Sequence, residues 1–256
     1  MQKPAMPAVA LTSFISLLLA ASLSLFQPAH SAIDMGAAPA GDGELFFNIW
    51  DYARSYSRDL DISINTFETR LAEAGPVALS WPADSTFAKF LAGVADVSEL
   101  RWNVVAVDGI GARRVLATFT PPRSATPPDD PAGRRMASAL QFKINSINLG
   151  LNGAGDYLNP ADDAQSSIFR ADNAGYAGDN KSLGMRLSDK LDFDSTGKLA
   201  NNSAATGLGF LRVDSKSFGM NTSMLYEYSD MASPIKVWLD ATHTLHIGVS
   251  APTKAK

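Results

Sequence analysis

The chain has 256 residues, a formal net charge of −4 at neutral pH and 46% hydrophobic residues. It contains no cysteine, which excludes disulfides, thiolate metal sites and thiol redox chemistry. The mildly acidic balance gives no electrostatic reason to expect nucleic acid or an anionic membrane as a partner, because both are bound through clustered Lys and Arg.

The first predicted element is a secretory signal peptide over residues 1–32. Lys3 precedes an apolar run over residues 8–26 that has no ionisable side chain. Small residues follow the run, so we place the cut after Ser31 or Ala32 and expect an exported protein. The alternative is an uncleaved membrane anchor, since the run approaches the roughly 20 residues that cross a bilayer. No later stretch is long and apolar enough to span.

The remaining sequence divides into an arm and a domain. Residues 33–43 are rich in Ala, Gly and Pro without periodicity, which predicts a flexible N-terminal arm. Order is expected to start near Glu44, and residues 44–256 are long enough to form a single β-rich domain. Five prolines within residues 121–131 exclude a central strand or a helix interior there, so this segment is predicted to be an extended surface loop.

The predicted strands alternate apolar and polar residues and are bounded by turn residues. They cover residues 44–50, 60–64, 100–107, 113–120, 191–193, 208–213, 223–228, 235–239 and 243–249. The clearest apolar faces are those of Leu45, Phe47 and Ile49 and of Leu100, Trp102, Val104 and Ala106. Short alternating strands of this kind predict a mainly β fold, an antiparallel β-sandwich of hairpins with two or three short helices.

The predicted helices follow from apolar residues at helical spacing. They cover residues 67–74, residues 84–94 with Asp84 or Ser85 as the N-cap, and residues 132–148 as the longest. Residues 151–182 are rich in Gly, Asn, Asp and Ser and are predicted to be long loops.

Two histidines remain after signal removal, and they lie close to an acid. His243, His246 and Asp240 could form a metal site or a catalytic dyad. Residues three apart on a strand point to opposite faces, however, so the two imidazoles cannot reach one ion from the same segment. The spacing therefore favours ordinary strand residues, with one histidine at the strand start and one on the solvent face.

A possible calcium site begins at Asp192. Asp192, Asp194 and Thr196, followed by a glycine, resemble the opening of an EF-hand loop, whose twelfth position is a bidentate acid. Ser203 stands at that position here. A hairpin turn accounts for the same residues, and calcium is the alternative, with a ligand from elsewhere in the chain. No other cofactor is predicted.

Aromatic residues are the candidate ligand-binding residues. Trp50 and Trp238 fall outside the apolar register of their strands, and Tyr226 and Tyr228 alternate on another strand. An exposed row of such rings would bind sugars, whereas a second packed layer would bury them. The chain lacks a Gly-x-Ser-x-Gly elbow, and a hydrolase that uses two carboxylates is the least supported alternative.

Five segments resemble those of a known group of proteins. They are residues 44–51 (ELFFNIWD), 55–60 (SYSRDL), 100–108 (LRWNVVAVD), 176–179 (YAGD) and 237–240 (VWLD). Together they resemble exported proteobacterial β-rich proteins of the PEP-CTERM type, which are exosortase substrates. The resemblance implies a surface-associated or extracellular-matrix protein with no catalytic residues to carry over.

The C-terminus departs from that group. Residues 251–256 hold no Pro-Glu-Pro, membrane span or basic cluster of a sorting tail. We therefore expect a soluble or self-assembling relative. The first functional hypothesis is a non-enzymatic secreted surface or matrix protein, as in a biofilm, whose partners are itself or other matrix components. The second is a carbohydrate-binding module, and periplasmic residence is an alternative to the cell surface.

Overall fold

The computed structural model describes residues 33–36, 41–73, 76–109, 113–121, 130–151, 165–178, 195–215, 223–230 and 233–249. The chain divides into two compact units, Met1–His30 and Ser31–Lys256, and the described residues all belong to the second. The predicted signal peptide, the candidate calcium ligands Asp192 and Asp194 and most of the proline-rich loop lie outside the described residues.

The described part of the chain is built from short strands and three helices. The strands are β1 (Glu44–Trp50), β2 (Arg54–Ser63), β3 (Ala78–Trp81), β4 (Arg101–Val107), β5 (Arg114–Phe119), β6 (Ser166–Arg170), β7 (Gly197–Lys198), β8 (Leu208–Asp214), β9 (Met224–Glu227), β10 (Ser229–Asp230), β11 (Ser233–Pro234), β12 (Lys236–Leu239) and β13 (Leu245–Gly248). The helices are α1 (Ile64–Ala72), α2 (Ser85–Ala92) and α3 (Asp130–Leu151), and Val97–Glu99 form a 3-10 turn.

Eleven strands pair into one antiparallel sheet in the order β3-β13-β12-β8-β5-β4-β1-β2-β6, with β7 added to β4 and β9 added to β8. The sheet is curled. Six strands separate β3 from β2 in the sheet order, yet the Trp81 indole Nε1 donates to the Leu60 carbonyl at 3.0 Å. The predicted mainly β class is confirmed, and the strands form one curled sheet with helices on both faces where a sandwich was expected.

The inner face of the curl holds an aromatic core. Alternate residues of β1 and β4 point into it, including Phe47 and Trp102, and α1 and α2 add Phe67 and Phe87. The Phe47 and Phe87 ring centroids lie 6.1 Å apart in an edge arrangement. Burial of these rings removes a large apolar area from water and is the main force that holds α1 and α2 against the sheet.

The outer face of the sheet packs against α3. Met136, Leu140, Ile144 and Ile147 recur at helical spacing and pack against alternate residues of β4, β5 and β8, such as Val105. Because this apolar cluster includes no residue of β3, β12 or β13 among those described, α3 covers only one part of the outer face.

The short helices begin at the residues whose side chains can cap them. The Ser63 hydroxyl accepts from the Thr66 amide at 3.1 Å at the start of α1, and the Asp84 carboxylate accepts from the Phe87 amide at 2.6 Å at the start of α2. The predicted cap at Asp84 is therefore confirmed. Ser63 moves the start of α1 a few residues before the predicted position.

A row of polar side chains crosses four neighbouring strands on the outer face. Ser167, Ser57, Asn48 and Asn103 lie directly opposite one another in register, and all four are fully buried. The Ser57 hydroxyl donates to Asn48 Oδ1 at 2.7 Å, and Asn48 Nδ2 donates to Asn103 Oδ1 at 3.1 Å. Because a one-residue slip would leave these groups unpaired, this polar row fixes the strand register.

Four of the five segments that carry the resemblance lie close together in the structure, whereas residues 237–240 begin in β12, four strands from β1 in the sheet order. β1 lies between β2 and β4, and residues 176–178 close over the end of β1. The Tyr176 hydroxyl donates to the Asp51 carbonyl, and the Ala177 amide donates to the Ser55 hydroxyl at 3.0 Å.

Two sequence expectations differ from the structure. Residues 33–36 of the predicted flexible arm pack on the domain, because Ile33 is buried and both its N–H and its carbonyl bond to the Asn148 side chain at 2.9 Å. Within the predicted loop region 151–182, residues Ser166–Arg170 form strand β6, because Ile168 and Phe169 can be buried on opposite faces of the sheet edge.

Candidate functional site

A charged cluster lies where α1 meets β5 and β8 on the inner face of the curl. Its members are Glu68, Asp108, Arg114, Arg212, Asp214 and Tyr228. Glu68 is central: it accepts from Arg114 Nη1 at 2.9 Å, from Arg212 Nη1 at 2.7 Å and from the Tyr228 hydroxyl at 2.6 Å. The cluster therefore joins α1 to two adjacent strands.

The two arginines of the charged cluster are also bonded to aspartates. Arg114 Nε donates to Asp108 Oδ2 at 2.5 Å, and Arg212 forms a bidentate pair with Asp214 at 2.6 and 2.7 Å. Desolvation opposes the charge on Arg212, but its hydrogen bonds to Asp214 and Glu68 outweigh that effect and raise its pKa. These guanidinium groups are committed to carboxylates of the same chain.

The two candidate tyrosines lie at this cluster. Tyr228 is half-buried, and burial together with its hydrogen bond to Glu68 raises its pKa, so the phenol stays protonated. Tyr226 is 41% exposed, and the Arg212 guanidinium carbon lies 5.8 Å from the centre of its ring. Tyr228 therefore has a structural contact, while Tyr226 presents a ring to solvent.

The two candidate tryptophans lie in different environments. Trp50 is 8% exposed and packs in the apolar cluster beneath α3, so its ring belongs to the core. Trp238 is partly exposed on the outer face of β12, on the part of the sheet that the α3 cluster does not reach. The structure brings neither tryptophan into the charged cluster with the tyrosines.

Trp238 forms a stack with His246 of the neighbouring strand β13. The ring centroids lie 4.9 Å apart with planes 12° from parallel. His246 Nε2 lies 2.9 Å from Asp240 Oδ2, and the other oxygen of Asp240 accepts from the Thr242 and Thr244 amides at 2.8 and 3.0 Å. Asp240 thus positions the imidazole, and the imidazole positions the indole.

The Asp240 carboxylate stays ionised at neutral pH. Desolvation raises its pKa, but the hydrogen bonds from His246, Thr242 and Thr244 have the larger combined effect and hold the pKa below its ordinary value. As the strand geometry predicts, the histidines lie on different sides: His246 is on the outer face, whereas His243 lies in the turn before β13 and contacts Phe87 of the inner core.

The strand β3 forms one edge of the sheet beside this stack. Val77 accepts from the Val249 amide at 3.4 Å, so the hydrogen-bonded pairs of the β3–β13 ladder are those of Leu79 and Trp81. Ala78 and Ser80 therefore direct their N–H and C=O groups away from β13, and their side chains are exposed. The strand contains no charge, proline or bulge.

The described residues contain no group of three or more His, Asp or Glu side chains placed to hold a metal ion. Thr196, the one candidate calcium ligand in this part of the chain, is buried, and its carbonyl accepts from the Thr120 hydroxyl at 3.1 Å. Within the ranges described, no helix is long and apolar enough to cross a membrane.

Sequence reasoning missed the charged cluster and the polar row. Single polar residues such as Asn48 and Asn103 interrupt strands that are otherwise apolar, and that interruption is the only local signal of the polar row. For the charged cluster the signal is weaker, because the sequence around Glu68 is that of an ordinary exposed acid on a helix. Only the pairing of β5 with β8 brings Arg114 and Arg212 together beside it.

No protein-family model matches this chain, and no curated protein or solved structure matches it significantly.

Proposed function

We propose that this chain is an exported, non-enzymatic surface or extracellular-matrix protein that associates with a second copy of itself through strand β3. The observation that carries the proposal is the β3 edge, where Ala78 and Ser80 direct backbone N–H and C=O groups away from the sheet. Edge strands are normally protected by charges, prolines or bulges, because unpaired backbone groups template pairing with another chain. β3 has no such protection within its four residues.

The sequence around β3 defines how two copies would pair. Pro76 and Pro82 flank the strand and lack N–H donors, so they limit the ladder to the residues between them. An antiparallel pair centred on Leu79 places Ala78 of one copy opposite Ser80 of the other. That is the one register in which both outward-facing residues of each copy bond to a non-proline partner. A two-fold interface of this kind is self-complementary and closes as a dimer.

A second route to association is pairing of the N-terminal arm, residues 33–43, with a sheet edge of another copy, and this route is less well supported. The backbone N–H and carbonyl of Ile33 both bond to the Asn148 side chain. The Met35 carbonyl accepts from the Gly109 amide at 2.6 Å, and Met35 forms a β-bridge with Gly43. This part of the arm is used within its own domain, which leaves β3 as the better-supported surface for association.

Light scattering on the exported protein tests the proposal with two variants at one position. Ser80→Pro removes the outward N–H while the ladder with β13 is kept, because residue 80 makes no hydrogen bond to that strand. Ser80→Ala keeps the N–H. We expect the unmodified protein and Ser80→Ala to be dimers and Ser80→Pro to be monomeric, with similar melting temperatures.

A monomeric unmodified protein, or a Ser80→Pro variant that associates as strongly as Ser80→Ala, would contradict the proposal. The same measurement with calcium and with a chelator checks the calcium alternative. A chelator-dependent change of mass would move attention from β3 to Asp192 and Asp194.

A further inference from the structure

We propose that the indole of Trp238 is a binding platform for carbohydrate, with its open face turned away from His246. The site lies on the outer face of β12 and is separate from the outward-facing backbone groups of β3. It therefore goes beyond self-association and does not depend on it.

The two faces of the indole have different neighbours. One face is covered by the His246 imidazole at 4.9 Å. On the other side of β12, β8 pairs Leu208 with Val237, so the register continues from there to place Gly207 opposite Trp238. Glycine has no side chain to cover the second face.

Close backbone contacts explain why this position is a glycine. A Cβ atom at Gly207 would lie 2.8 Å from the Val237 carbonyl oxygen and 3.3 Å from Trp238 Cβ. A larger residue would therefore both strain the backbone and crowd the ring. The Ser203 carbonyl oxygen would also lie 3.2 Å from that Cβ, so backbone of the loop before β8 approaches Gly207, and Trp238 keeps partial exposure beside this glycine.

The rim of the open face is polar and uncharged. The Asn201 carbonyl accepts from the Leu239 amide at 3.3 Å, which holds the loop before β8 beside β12. Ser203 and Thr206 place their hydroxyls 3.1 Å apart in this loop, and both residues retain solvent exposure. Neutral hydroxyl groups in the loop beside a partly exposed indole match a ligand whose rings have one apolar face and a hydroxyl periphery.

That chemistry identifies the ligand class as a polysaccharide of equatorially substituted pyranoses, such as a β-linked glucan or chitin. The axial C–H groups of such rings form flat apolar faces that stack on an indole, and the equatorial hydroxyls reach polar groups at the rim. The ring is also pre-positioned, since Asp240 holds His246 and His246 covers one indole face. Pre-positioning lowers the ordering cost of binding.

The test measures binding of cellopentaose and chitopentaose to the exported protein by calorimetry and by tryptophan fluorescence. Trp238→Ala removes the platform, and Tyr52→Ala is the control because Tyr52 is 84% exposed and lies elsewhere on the surface. We expect one of the two sugars to bind and to change the Trp238 emission. Trp238→Ala should weaken binding about tenfold, and Tyr52→Ala should leave it unchanged.

Absence of binding by both sugars would overturn the inference, as would binding that Trp238→Ala leaves unchanged. Trp238→Phe keeps a smaller platform, so it should retain intermediate binding and lose the fluorescence change. The Ser80→Pro variant is included so that the two proposals fail separately: a monomer that still binds sugar supports this site even where association is absent.

Discussion

The polar groups of the charged cluster and the polar row are used in the opposite way to the polar groups on the outer face of β12, β13 and β3. Glu68 bonds to two arginines and a tyrosine, and Asn48 bonds to both neighbours in its row. On the outer face of β12, β13 and β3, a hydrogen bond to Asp240 holds His246 against one face of the partly exposed Trp238, and Ala78 and Ser80 direct backbone groups away from the sheet. The comparison separates groups that stabilise the fold from groups that are able to bind a partner.

The largest loss of stability is expected from the charged cluster. Glu68→Ala removes a carboxylate that both Arg114 and Arg212 bond to, so part of their positive charge is left without a partner. The free energy of unfolding should therefore fall by about 3 kcal/mol. Urea denaturation measures the change. Glu73→Ala is the matched control, because Glu73 is exposed just after the same helix and should change stability by less than about 0.5 kcal/mol.

A smaller loss is expected from the polar row. Asn48→Ala removes two hydrogen bonds and leaves buried partners at Ser57 and Asn103, which should cost about 2 kcal/mol. Asn103→Ala removes one of these bonds and also deletes Nδ2, a buried atom without a hydrogen-bond partner, so it should cost less. Thermal melts of the two variants compare them directly, and an equal loss would contradict this account of the row.

Glu44 should make stability depend on pH. Burial, and then the nearby acids Asp59, Asp34 and Asp61, raise its pKa from 4.5 to about 7, although the Asp34 amide bond opposes the shift. The folded state therefore binds the proton more tightly than the unfolded chain, and stability falls as pH rises from 4.5 to about 7.

Replacement of Glu44 tests that direction. Glu44→Gln keeps an acceptor for the Asp34 amide and removes the titration. Since the carboxylate is only half-buried, solvent screening limits the gain at pH 8 to about 1 kcal/mol. At pH 4 the gain should vanish. Denaturation curves at both pH values check this, and a variant that is less stable at pH 8 would contradict the assigned cause.

The smallest effect is expected on the outer face. Ser80→Ala should change the free energy of unfolding by less than about 0.5 kcal/mol, because the Ser80 side chain is exposed and makes no hydrogen bond within the described part of the chain. A large loss in a chemical denaturation experiment would show that Ser80 has a structural role and would weaken the contrast between the two regions.

The sequence predicted the elements whose evidence is local. Alternation at Leu45, Phe47 and Ile49 matches β1, and helical spacing from Met136 to Ile147 matches α3. The sequence did not predict β3, because a strand of four residues flanked by Pro76 and Pro82 is too short to show a period. The order of the strands in the sheet could not be predicted from the sequence either, since β8 pairs with β5 across almost a hundred residues of chain.

For the candidate site, sequence pattern distinguished exposed from buried residues only in part. Trp50 and Trp238 both fall outside the apolar register of their strands. α3 packs over the part of the outer face that carries Trp50, whereas its apolar cluster does not reach Trp238. The stacking of Trp238 on His246, and the placement of Gly207 opposite Trp238, depend on the register of β12 with two neighbouring strands. That register is a tertiary property, which a single strand does not encode.

Disulfide trapping between two single-cysteine variants tests the β3 interface most directly. Because the chain has no cysteine, Ala78→Cys and Ser80→Cys each provide one thiol. Residues opposite each other in a hydrogen-bonded antiparallel pair have Cα atoms about 5.5 Å apart, within the range that a disulfide spans. An equimolar mixture should therefore cross-link under mild oxidation far more than either variant alone. A mixture that cross-links no faster than a control carrying Asn145→Cys, on the exposed side of α3, would contradict pairing through β3.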